Sequence, residues 1–180
     1  MPSGGARQRD GVGRMRKSSA VLGSALFFIL APCLAAALIP WWIGRWQWHA
    51  PFFGAPFTRA IGVLFILGAP GVVDSFRRFA LEGLGTPAPI APPEKLVVRG
   101  LYRYVRNPMY VAVIGIILGQ ALLFGDGRLL LYAALFWLAC HAFVVVYEEP
   151  TLQRTFGGAY VAFRANVPRW IPRLSPWRGP

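Results

Sequence analysis

The sequence predicts an all-α fold, an integral membrane bundle of about four transmembrane helices. Three observations carry that prediction. The chain of 180 residues is 56% hydrophobic and only 14% charged, too apolar for an ordinary soluble domain. Four of its stretches are long and apolar enough to span a bilayer. The basic residues between those stretches alternate between dense and sparse, as they do along a membrane protein.

The first stretch covers residues 20–39. The second covers residues 59–79 and carries Pro70 and Asp74. The third, residues 108–124, is short for a span, about 25 Å at 1.5 Å per residue. The fourth covers residues 128–147. Backbone polar groups within lipid must be satisfied inside their own segment, so all four are read as helices. A cleaved signal peptide over residues 1–37, with Ala35 and Ala37 at a small-residue site, is the alternative for the first stretch. A run of about 20 apolar residues is long for that, and the charge pattern works with the segment retained.

The net charge of +12 invites a nucleic-acid reading, but its distribution argues for a membrane. Arg7, Arg9, Arg14, Arg16 and Lys17 precede the first stretch. Arg77 and Arg78, at the end of the second, and Lys95, Arg99, Arg103 and Arg106, between it and the third, form the next group. Arg154, Arg164, Arg169, Arg173 and Arg178 follow the fourth. Only Arg45, Arg59 and Arg128 fall on the other side, a split of 16 against 3. The asymmetry places both termini in the cytoplasm, with a bacterial plasma membrane as the expected location and membrane lipids as expected partners. No nucleic-acid partner is expected.

Residues 1–19 are rich in Gly, Arg and Ser and are expected to be disordered. Residues 20–79 form the first pair of helices, and residues 80–180 form a core of loop, helical hairpin and tail. Trp41, Trp42, Trp46 and Trp48 read as an interfacial belt. The proline run at 86–93 keeps the loop of residues 80–107 extended. The tail, with Arg169, Trp170, Arg173 and Trp177, reads as an interfacial segment. Cys33 and Cys140 lie within spans and read as small buried residues.

Two polar motifs stand at the two ends of the hairpin. One is Gly100-Leu-Tyr-Arg-Tyr-Val-Arg-Asn-Pro-Met-Tyr110, and the other runs from Tyr147-Glu-Glu-Pro150 to Tyr160. The helix between goes in and its partner comes back, so both motifs face one membrane surface. Asn107 and Pro108 are the preferred N-cap and first residue of a helix, which predicts a helix start whose free N–H groups hold an anion. Tyr102, Tyr104 and Tyr110 surround it, either as ligand contacts or as interfacial anchors. Glu148 and Glu149 diverge by 100° on a helix, so one of them points at the hairpin partner. An acidic side chain there suits an ammonium, a sulfonium or a salt bridge to Arg103 or Arg106. No metal site is expected, because no His or Cys is near in sequence. His141, Asp74 and Gln120 either line a site or make hydrogen bonds between helices.

Together these motifs resemble the membrane-embedded methyltransferases, which include isoprenylcysteine carboxyl methyltransferase and the phospholipid N-methyltransferases. The resemblance covers residues 94–172. It implies S-adenosyl-L-methionine as cofactor, a cofactor pocket at the cytoplasmic face and a lipophilic small-molecule or lipid acceptor reached from the bilayer. By position, the implied cofactor contacts are Glu94, Lys95, Leu96, Val97, Tyr102, Asn107, Pro108, Met109, Tyr110 and Glu148. No catalytic residue is assigned. Asn107 stands where the family has histidine, which removes an imidazole base. Val144 stands where the eukaryotic carboxyl methyltransferases have arginine, which argues against a prenylcysteine carboxylate. The motifs taken together still imply a methyltransferase of the isoprenylcysteine carboxyl methyltransferase type. A phospholipid N-methyltransferase is the alternative, as is a non-catalytic protein retaining the scaffold. A haem held by His49 and His141 is disfavoured, because the topology puts them toward opposite faces.

Overall fold

The computed structural model describes residues 30–68, 70 and 96–179. Among these, every regular element is helical, with no strand. Five helices are numbered here in chain order: α1 (Leu30–Gly44), α2 (Phe57–Leu67), α3 (Pro108–Phe124), α4 (Gly127–Phe156) and α5 (Gly158–Asn166). The first part of the expected first span, the end of the second with Asp74, the proline run, Glu94 and Lys95 lie outside the described residues.

Of these helices, α4 alone is both long and apolar enough to cross a membrane. It runs for 30 residues and continues nine residues beyond the expected end at Tyr147. Leu131, Leu135, Leu138 and Val146 stand outward on it, 56–77% exposed, where a soluble protein would bury them. The apolar helices α1, α2 and α3 are shorter.

The α3–α4 hairpin turns on two residues. Gly125 ends α3 with φ +70°, and a Cβ there would also collide with the Ala50 carbonyl oxygen. Asp126 caps α4, accepting from the Arg128 N–H at 3.0 Å. Helix α2 then lies against α3 at a glycine contact: a Cβ on Gly119 would sit 2.8 Å from the Gly62 carbonyl oxygen. Ala35, Val113, Ile117 and Ala133 form a core that joins α1, α3 and α4.

Proline shapes two of the helices in the same way. Pro40 has no N–H to give the preceding turn of α1, and Leu34–Leu38 widens into a π-helical turn just before it. Two carbonyls of that turn find partners on neighbouring helices. The Ala35 oxygen accepts from the Tyr132 hydroxyl on α4 at 3.0 Å, and the Ala36 oxygen accepts from Gln120 Nε2 on α3 at 2.7 Å. Gln120 is therefore an interhelical tie. Its Oε1 also accepts from Trp46 Nε1 at 3.0 Å, which ties Trp46 to the bundle. In α4 the same sequence of events occurs at Val144–Glu148, just ahead of Pro150. That widened turn delivers the two glutamates.

Candidate functional site

The hairpin returns α4 to the start of α3, and the two polar motifs meet there. The Tyr110 hydroxyl, one turn into α3, donates to Glu148 Oε2 on α4 at 3.5 Å. Behind it, Val97, Tyr102 and Met109 form a buried apolar cluster. Burial, and after it the nearby Glu148 carboxylate, push the Tyr102 hydroxyl well above the ordinary phenol range. Tyr102 therefore stays protonated at neutral pH.

The second glutamate faces elsewhere. Glu149 Oε1 accepts from Arg106 at 2.8 Å and from Arg169 Nε at 2.7 Å, and its Oε2 accepts from Arg169 Nη2 at 2.9 Å. The Arg169 contact is a bidentate fork. Arg106 also reaches the buried Tyr160 hydroxyl at 3.4 Å. The adjacent carboxylates thus have different partners, Glu148 the third helix and Glu149 two arginines. The salt bridge weighed for this pair forms from Glu149 to Arg106.

Asn107 occupies the N-cap position of α3, but its side chain makes no capping hydrogen bond. Its Nδ2 instead donates to the Arg169 carbonyl oxygen at 3.2 Å. The expected side-chain cap is corrected accordingly. A buried amide donor beside an extended segment finds a carbonyl in the tail, and Pro108 needs no N–H partner at the first helical position.

That tail is the part of the site that sequence reasoning missed. Its Arg-Trp composition suggests a segment lying on a membrane surface, yet it is folded against the first motif. The Arg106 N–H donates to the Pro168 oxygen at 2.9 Å, the Arg173 N–H to the Tyr104 oxygen at 3.0 Å, and the Trp177 N–H to the Arg103 oxygen at 2.9 Å. Trp170 Nε1 donates to His141 Nδ1 at 3.0 Å, and its ring lies 6.5 Å from that of Tyr110. Helix α5 secures the base of the tail: Tyr160, Phe163 and Val167 pack with Leu96, Val98, Leu152, Phe156 and Trp177. The second carboxylate hinted at a cation, but nothing in sequence singled out Arg169 from the other arginines.

Of the residues predicted for the site, Tyr102, Met109, Tyr110 and Glu148 come together with Val97. Asn107 and Pro108 stand at the start of the same helix. Leu96 turns instead to the α5 cluster. His141 belongs to the aromatic group around Trp170, while His49 donates its backbone N–H to Phe124 at the far end of α3. The two histidines are thus at opposite ends of the hairpin. Among the described residues no cluster of His, Cys, Asp and Glu is arranged to hold a metal ion.

Comparison with known proteins gives one family. The phospholipid methyltransferase family model matches residues 57–159, more than half of the chain. No protein of curated function and no solved structure gives a significant match. The matched segment runs from the start of α2 into α5 and includes the 100–110 motif, the whole hairpin and both glutamates. The chain belongs to the phospholipid methyltransferase family.

Proposed function

We propose that this protein is an S-adenosylmethionine-dependent methyltransferase of the membrane and that its acceptor is the amine of a phospholipid headgroup. The observation that carries the reading is the meeting of Tyr110 and Glu148 at the open end of the hairpin, with Tyr102 and Met109 beside them.

The donor set suits the cofactor. Among the described residues Glu148 has one carboxylate oxygen on Tyr110 and no arginine partner, unlike Glu149, so it suits an ammonium. The faces of Tyr102 and Tyr110 suit a sulfonium and an adenine ring. When bound, S-adenosylmethionine supplies an electrophilic methyl group on sulfur. The protein's part is then to hold and orient, and to keep water away from the reacting atoms. Tyr102, protonated and buried, does not serve as a base. Asn107 cannot titrate near neutral pH, so no imidazole base is available at that position.

Two features favour a phospholipid amine over a prenylcysteine carboxylate. The family whose model matches is named for phospholipid methylation. Val144, 1% exposed, stands where the eukaryotic carboxyl methyltransferases that the chain resembles have an arginine. The 16-to-3 split of basic residues supports a site on the cytoplasmic side.

The test uses the purified full chain with methyl-labelled S-adenosylmethionine. It is offered vesicles containing a phospholipid with a primary amine headgroup, and separately a farnesylated cysteine. Label is expected in the phospholipid and stable to base. Base-labile label in the farnesylcysteine alone would overturn the acceptor assignment, and label in neither would overturn the activity.

A further inference from the structure

The tail is fastened at Arg169 and at Arg173, on either side of residue 170. Arg169 forks onto Glu149, its carbonyl accepts from Asn107, and Arg173 donates its N–H to Tyr104. Between these ties the Trp170 indole is inserted among three rings: Tyr110 at 6.5 Å, Trp137 at 6.1 Å and His141 at 5.9 Å. Its N–H donates to His141 Nδ1, which fixes the rotation of the indole.

Tyr110 is thus touched on two sides. One is the Trp170 ring, and the other is Glu148, whose Oε2 is 3.5 Å from the tyrosine hydroxyl. A strong hydroxyl–carboxylate hydrogen bond is about 2.6 Å long, so this contact is at the outer limit and depends on how the tyrosine ring is held. We propose that Trp170 is a positioning residue of the methyl-transfer site: it sets the ring of Tyr110 and, through the tyrosine hydroxyl, the orientation of the Glu148 carboxylate. This inference rests on the reading of Glu148 as the partner of the cofactor ammonium. Its consequence is that cofactor affinity depends on a tail residue beyond the segment that matches the family model.

A double-mutant cycle tests it. S-adenosylhomocysteine is titrated by calorimetry into full-length protein in lipid nanodiscs: wild type, Trp170→Ala, Tyr110→Phe and the double variant. Trp170→Ala is expected to weaken binding about tenfold in the wild-type background and less than about twofold once the Tyr110 hydroxyl is gone. Trp170→Phe keeps a ring against Tyr110 but loses the N–H bond, and its affinity is expected to fall between those of wild type and the alanine variant. If Trp170→Ala does not melt cooperatively, Trp170→Leu takes its place in the cycle. Equal losses in the two backgrounds, or an unchanged affinity in the alanine variant, would overturn the positioning role while leaving the cofactor site standing. A wild type that binds no S-adenosylhomocysteine would overturn the reading of Glu148 and the inference with it.

Discussion

Replacing Glu149 with Gln should destabilise the protein more than any other conservative change at the tail contact. The carboxylate holds Arg106 and Arg169 at 2.7–2.9 Å, with Arg106 10%, Glu149 9% and Arg169 28% exposed at the side chain. Glutamine keeps the shape but removes the charge, so two arginines are left near each other without a counterion. Removing one partner of a buried ion pair costs about 3–5 kcal/mol. Arg169 is open enough for water to recover part of that, which puts the loss at roughly 3 kcal/mol. For a chain of this length the melting temperature should fall by about 6–12 °C. Arg169→Gln leaves the Arg106–Glu149 pair intact and should cost only about 1 kcal/mol. Thermal melts of the purified variants in one detergent, followed by tryptophan fluorescence, measure both. Trypsin cleavage at Arg173 and Arg178 should speed up in step with the loss. Equal melting temperatures for the two variants would refute the claim that Glu149 is the centre of the contact.

Three further outcomes are expected. Gly119→Ala places a methyl group 2.8 Å from both the Gly62 oxygen and Ile66 Cγ1, and the resulting separation of α2 from α3 should cost about 1–3 kcal/mol in a melt. Asn107→Ala loses the bond to the Arg169 carbonyl and should cost about 1 kcal/mol, while Asn107→His keeps an N–H donor and should melt closer to wild type. The Arg128 side chain holds the Asp126 carboxyl below its ordinary value. A depressed carboxyl pKa stabilises the fold above the unfolded value of about 3.9, and that stabilisation is lost as pH falls through the lower folded value. The wild type should therefore lose stability relative to Asp126→Asn below about pH 4, which acid melts of the pair would show.

The hairpin was readable because its signals are local. Asn107-Pro108 and Gly125-Asp126 fix the limits of α3, and the structure has that helix from Pro108 to Phe124. The meeting of Tyr110 and Glu148 follows from antiparallel geometry once both helices are placed. The course of α4 past Tyr147 was less readable: Pro150 suggests a stop, whereas the chain widens into a π-turn and continues. The docked tail was not readable at all, because the same Arg and Trp residues that suit a membrane surface also suit a carboxylate and an aromatic group. The choice between them depends on Glu149 and His141 being near in space, which sequence separation hides. Asn107 shows the same limit. Its position at the start of a helix is local information, but its true acceptor lies 62 residues away.

The most direct test of the central claim is the affinity of S-adenosylhomocysteine for wild type, Glu148→Gln and Glu149→Gln, measured by calorimetry on folded protein. If Glu148 holds the cofactor ammonium, wild type binds and Glu148→Gln weakens binding about 30-fold, ~2 kcal/mol. Glu149→Gln, at a temperature where it remains folded, weakens it less. Equal affinities for wild type and Glu148→Gln, or no binding by wild type, would contradict the account.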